Sequence, residues 1–296
     1  MKRDDVILVR GGGDLATGTI HRLWSAGLKV LVLEAEHPAA IRRQVSVSEA
    51  VYEGGAVVEG MRAALVKTLD EAIAVQKFSL GAKESDIILP DTLDVEAVVI
   101  WHRGDVPVMV DPKGELIPQV QPAALVDAIL AKKNLGTTRD MAPLTIALGP
   151  GFTAGVDVDF VVETKRGHRL GRIIREGAAI PNTGVPGVIG GYGAERVIHA
   201  EKAGIFRNVC AIGDIVSVGE TIAEIETPDG IRTPVTTRIA GILRGLLRDG
   251  YPVTPGFKVA DVDPRREELE NCFLISDKAR CIAGSVLELI AANLWK

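Results

Sequence analysis

Cysteine is scarce in this chain: Cys210, Cys272 and Cys281 are odd in number and lack Cys-x-x-Cys spacing. Neither a disulfide framework nor a zinc knuckle is therefore expected, and no metal site. No apolar run approaches the roughly 20 residues that a membrane span requires. The opening MKRDDVILVRGGG has a basic start, but its apolar stretch is too short for a signal peptide and ends in charge. Positive charge is not in excess either. The 34 Lys and Arg against 39 Asp and Glu leave a net charge of −5, whereas a nucleic-acid binder clusters basic residues to neutralise phosphates. Low-complexity tracts and long charge blocks are absent. What remains reads as a cytoplasmic protein without a nucleic-acid or membrane partner. Its 296 residues, 47% of them hydrophobic, suffice for two domains or slightly more.

The N-terminal third alternates strand-like and helix-like stretches. DVILV is a buried strand, LATGTIHRLWSAG a helix closed by Gly27, and KVLVLEAE a strand stopped by His37-Pro38. TLDEAIAVQK reads as a helix, VEAVVIW as a strand, and QPAALVDAILAKKN (121–134) as a helix with Pro122 near its start. Such alternation predicts an α/β fold with a parallel sheet covered on both faces, here a Rossmann-like N-terminal domain over residues 1–140. Residues 141–196 form a connecting α/β segment with a Gly/Pro-rich loop, REGAAIPNTGVPGVIGGYGAE. Residues 264–296 are a helical tail, with Ser276 as N-cap and Ile282, Val286, Leu289 and Ile290 on one face.

Between them lies an internal repeat. Residues 203–225 align without gaps on 240–262 at an offset of 37, with Gly204/Gly241, Gly213/Gly250 and Gly219/Gly256 identical. The pattern GD-x-V-x-x-G-x-x-[IV]-x-x-[IV] resembles the biotinyl/lipoyl family, which implies a barrel-sandwich hybrid over residues 197–263. The hairpin ETPDGIRT holds no lysine, so no biotin or lipoate attachment is expected.

The stretch RGGGDLATG carries the main binding signal. Gly11, Gly13 and Ala16 satisfy G-x-G-x-x-[GA] between a strand and a helix, and Glu34 ends the next strand at a distance suited to a ribose diol. Gly12, Asp14 and Leu15 complete the loop, whose N–H groups and helix dipole favour a phosphate. Asp14 opposes this by placing a carboxylate in the first helical turn. Other candidates are His102, with Arg103 and Asp105, at a strand's carboxyl end, and Arg42 and Arg43 beyond the second strand. Gly149, Gly151, His168 and Arg169 combine a glycine turn with a basic cluster suited to a phosphate- or pterin-bearing ligand. No local signature of nucleophilic catalysis is present.

VRGGGDLATG, HPAAIRRQVSVSEAVYEG, GPGFTAGVD, VVETKRGHRLGR and SDKAR together resemble the YqeB family over essentially the whole chain. That resemblance implies an accessory factor in the maturation of selenium-dependent molybdenum hydroxylases, with an N-terminal part similar to XdhC-like Rossmann domains. Its expected ligands are NAD(P) or another nucleotide, or the molybdenum cofactor, and its expected partner is the client hydroxylase. A homo-oligomer is compatible with this. The readings held beside it are an NAD(P)-dependent oxidoreductase and a ligand-free scaffold.

Overall fold

The computed structural model describes residues 5–69, 104–184 and 187–295. The chain divides into two compact units. The first comprises residues 1–38, 46–182 and 275–296, the second residues 39–45 and 183–274.

The first unit is built on β1 (Val6–Arg10), β2 (Lys29–Glu34), β3 (Gly55–Val58), β4 (Met61–Leu65), β5 (Val106–Val110), β6 (Ala124–Asp127), β7 (Thr145–Leu148), β9 (Phe160–Val162) and β10 (Ile173–Ile174). They form one nine-stranded sheet in the order β10-β9-β7-β6-β1-β2-β5-β4-β3. Strands β4 to β9 in that sheet pair in parallel, and the edge strands β3 and β10 pair antiparallel with their neighbours. A small ribbon, β8 (Thr153–Ala154) with β11 (Gly177–Ala178), lies beside it in sequence. The central strands carry continuous apolar runs because both faces are covered: Ile7, Leu8, Val9, Val32, Leu125, Val126 and Ile146 are all fully buried. Among the described residues this unit has two long helices, α1 (Asp14–Ser25) and α4 (Asp277–Leu294), and between them in sequence two single-turn helices, α2 (Ala50–Glu53) and α3 (Ile117–Val120). At Gly18 a Cβ would stand 2.6 Å from that of Ala279, so the glycine lets α1 and α4 pack closely.

The expected Rossmann-like domain is corrected by this sheet. A doubly wound fold needs helical crossovers on both faces, yet the link from β6 to β7 is irregular, with one 3-10 turn at Arg139–Met141. The helix expected over 121–134 is instead strand β6 and a loop. Ala124–Asp127 are buried throughout, and Leu130 and Lys132 take φ of 61° and 64°, which a helix cannot contain. The stretches TLDEAIAVQK and VEAVVIW lie outside the described residues, and α4 joins the first unit rather than forming a tail.

The second unit contains β12 (Val197–His199), β13 (Gly204–Asn208), β14 (Ile215–Val216), β15 (Thr221–Glu226), β16 (Arg232–Thr236), β17 (Gly241–Leu246), β18 (Pro252–Val253) and β19 (Lys258–Asp263). They form two four-stranded sheets, β12-β19-β17-β14 and β16-β15-β13-β18. The 37-residue repeat maps β13, β14 and β15 onto β17, β18 and β19, and each sheet takes strands from both copies. A Cβ on Gly204 would strike the Glu226 carbonyl, and one on Gly241 the Asp263 carbonyl. The two glycines thus meet the same close approach one repeat apart. Phe206, Ile222, Leu243, Leu246, Val259 and Val262 fill the core.

Candidate ligand site at the carboxyl edge of the parallel strands

Parallel strands collect ligands at their carboxyl ends, where strand order reverses. Here that point is β1, flanked by β2 and β6, and the loops leaving β1, β6, β7 and β9 line the same edge. Each is conformationally demanding. Gly11 has φ 95°, Leu130 and Lys132 have positive φ, Gly149 and Gly151 have φ 79° and 114°, and Gly167 and Gly171 follow β9 with φ 120° and 75°. The loops are also tight against one another. A Cβ on Gly11 would lie 2.9 Å from the Ala128 carbonyl oxygen, one on Gly149 2.6 Å from Thr164 Oγ1, and one on Gly151 2.7 Å from Lys133 N. Leu130 and Lys132 hold non-glycine residues in a left-handed conformation, the kind of strain that clusters at functional sites.

Within the glycine loop the three residues differ. Gly12 donates its N–H to Glu34 Oε2 at 2.6 Å, and its carbonyl accepts from Ser48 N at 3.0 Å and Thr17 Oγ1 at 3.1 Å. The 3-10 turn Val47–Glu49 therefore sits on this part of the loop. Glu34 Oε1 accepts from Ala35 N at 2.7 Å, so both carboxylate oxygens already receive backbone N–H groups. Burial raises the Glu34 pKa, and those two hydrogen bonds work against it. Gly13 is the N-cap of α1, and a Cβ there would meet nothing within 4 Å. No side chain among the described residues caps α1. Among the described residues no group accepts from the N–H of Gly13, Asp14 or Leu15. Leu15 and Ala16 complete the first turn, with Ala16 fully buried.

The first turn of α4 belongs to the same edge. Ser276 Oγ caps it by accepting from Ala279 N at 3.1 Å. Arg166 grips Asp277 through two hydrogen bonds, at 2.8 and 3.0 Å, and so ties the loop after β9 to this helix. Ser285 Oγ donates to the Gly171 carbonyl. Lys278 is half-buried, and no ion pair involves it among the described residues. Burial lowers its pKa and Arg166 adds to the effect, while Asp14, Glu163 and Asp277 oppose it. Glu163 is buried, with its carboxylate accepting from Lys165 N at 2.7 Å and Ile180 N at 2.8 Å.

The remaining expected residues are placed as follows. His168 and Arg169 are exposed on the loop after β9. Arg42 and Arg43 belong to the second unit, where Arg42 donates to the carbonyls of Asn271 and Leu274 and Arg43 to that of Leu246. His102 and Arg103 lie outside the described residues. Lys278 was not singled out from the sequence, because a lysine in a helix's first turn ordinarily reads as solvated. Among the described residues no group of His, Cys, Asp and Glu could hold a metal ion, and no helix is long and apolar enough to cross a membrane. A cavity of about 830 Å³ lies at the amino ends of the strands instead, lined by Ile117, Gln121, Met141 and Pro143. It is remote from the strained loops and the open N–H groups.

No family model matches the chain. Among solved structures it is similar to the ectoine utilization protein EutE (DoeB) of Ruegeria pomeroyi, with 13% identity, a TM-score of 0.26, and coverage of 87% of this chain and 85% of that one. A succinylglutamate desuccinylase/aspartoacylase of Rhodobacter sphaeroides gives 16% identity and a TM-score of 0.27, over 87% and 85% of the two chains. An aspartoacylase family protein of Mesorhizobium loti gives 12% identity and a TM-score of 0.26, over 87% of this chain and 84% of that one. The expectations of a Rossmann domain joined to a biotinyl/lipoyl-like sandwich and of a hydroxylase maturation factor find no counterpart among these names and are withdrawn. In sequence, the chain is 46% identical over 285 residues to the Escherichia coli (strain K12) protein named Uncharacterized protein YqeB, covering 96% of this chain. The chain spans about half that relative's length, 47% of it. Over the part they share, the chain belongs to the YqeB family.

Proposed function

We propose that the first unit binds a small molecule bearing a negatively charged group, held at the N-terminus of α1. The observation that carries this reading is the open space at Gly13, beside backbone N–H groups that no acceptor among the described residues satisfies. Such groups, at the positive end of a 12-residue helix, suit a phosphate or carboxylate. The strained loops around them support the same edge as a site. A pyrophosphate gripped through Gly12 is disfavoured, because Gly12 N–H is already given to Glu34 and the Val47–Glu49 turn sits there. The anion is therefore placed one residue further on. NAD(P), other nucleotides and molybdopterin all carry a phosphate and belong to the class to be tried.

The test is thermal denaturation with inorganic phosphate, NAD, NADP, ATP, CTP and molybdopterin, on the wild type and Gly13→Val. A ligand present at 100 times its Kd adds about 2.7 kcal/mol to stability, a readily measured rise in Tm. Gly13 has φ −66° and free space, so valine is tolerated by the fold but fills the site. At least one ligand is expected to raise the wild-type Tm and to lose that effect in the variant. A flat response to the whole panel, or an undiminished rise in Gly13→Val, overturns the reading.

A further inference from the structure

The cavity at the amino ends of the strands belongs wholly to the first unit, at the other end of the sheet from the glycine loop. Asp5 precedes β1, Ala123 precedes β6, and Pro143 lies just before β7. Its volume of about 830 Å³ falls within the range of small-molecule sites, roughly 300–1,000 Å³. Ile117, Met141, Ala142 and Leu294 give it an apolar wall.

The polar part of the lining is rich in acceptors and poor in donors. Pro118, Pro122 and Pro143 contribute carbonyls but have no backbone N–H. The N–H groups of Ile117, Gln121, Ala123 and Met141 are already given to protein carbonyls, at 3.2, 3.0, 2.9 and 3.3 Å. Two charged side chains line the cavity among the described residues, Asp5 and Asp140, and both are carboxylates. Arg139, beside Asp140 in sequence, is turned to other partners: it donates to Asp159 at 2.5 Å and to the Gly155 carbonyl at 3.3 Å. Thr138 Oγ1 donates to Asp140, which lowers the pKa of that carboxyl and keeps it ionised at neutral pH.

From this combination of an apolar wall, spent donors and a negatively charged rim, we infer that the cavity binds a small protonated amine with an apolar body. An ammonium group brings donors and no acceptor, which matches carboxylates and proline carbonyls. A hydroxyl brings an acceptor that only the Gln121 amide is equipped to satisfy, and an anion is repelled by Asp5 and Asp140. The site is independent of the anion site at α1.

The experiment is calorimetric titration of the full chain at neutral pH with 2-phenylethylamine and with its uncharged counterpart, 2-phenylethanol. Amide hydrogen exchange locates the bound amine. The amine is expected to bind about tenfold more tightly than the alcohol, because hydrogen bonds between charged groups are the stronger ones. Slower exchange is expected in residues 117–123 and 138–142. Asp140 is exposed and asparagine keeps its size, so Asp140→Asn leaves the fold intact. That variant is expected to bind the amine about threefold more weakly, as suits a solvent-exposed charge, and the alcohol unchanged. Equal affinity for the two compounds, or no binding of either at millimolar concentration, overturns the amine assignment. Amine binding unchanged in Asp140→Asn, or protection outside both segments, overturns the cavity as its site.

Discussion

At Glu34 a residue type suited to gripping a ligand is used to hold the protein's own backbone. Its two oxygens accept from Gly12 and Ala35, and burial raises its pKa. The folded state therefore holds this proton more tightly than the unfolded chain. The associated stability is fully present below the ordinary value of 4.5 and is lost as pH rises through the raised folded value. Glu34→Gln cannot titrate, but its amide sets an N–H group against a backbone N–H and costs about 1–3 kcal/mol. Urea denaturation between pH 4.5 and 8 should show a lower but flatter stability profile for the variant, with the gap to wild type closing as pH rises. Asp127, also raised by burial, titrates equally in both proteins and cancels in the difference. The spacing of Glu34 from the glycines is readable from sequence. That its hydrogen bonds turn inward is not, because it depends on Ser48 and its turn filling the loop.

Among the elements, the pairing of α1 with α4 fixes where the open N–H groups and Lys278 stand. Glycine inside a helix costs about 1 kcal/mol relative to alanine, and the position of Ala279 explains why Gly18 is there. Gly18→Val should overpack this crossing and destabilise the protein by about 3 kcal/mol, seen as a fall in Tm. Ala279→Gly added to it should recover part of the loss, since the two positions touch and are not additive. The Ser276 cap and the buried face of Ile282, Val286, Leu289 and Ile290 follow from the sequence directly. Strand β6 does not. A central strand buried on both faces has no alternating pattern, and QPAALVDAILAKKN mimics helical spacing.

For the whole molecule, the 37-residue repeat was legible because each copy needs its glycine at the same close approach. The discontinuous first unit was not, since nothing local in residues 275–296 announces a return to the N-terminal sheet. Ending the chain at Leu274 removes Ile282, Val286, Leu289 and Ile290 from that unit, each contributing about 1.5–3 kcal/mol on burial. Their sum approaches the total stability of a typical domain. Hydrogen exchange on the shortened chain should show α1 and β1 unprotected. The second unit's strands, whose core lies within that unit, should retain their protection.

The close packing of Ala279 on Gly18 also sets an order of events during synthesis. The ribosome delivers the glycine loop first and its lysine-bearing partner helix after every described strand has been made. Until that helix emerges, α1 stays without the neighbour that orients it. The packing that holds α1 in place is thereby completed last, after the sheet's described strands have all been made.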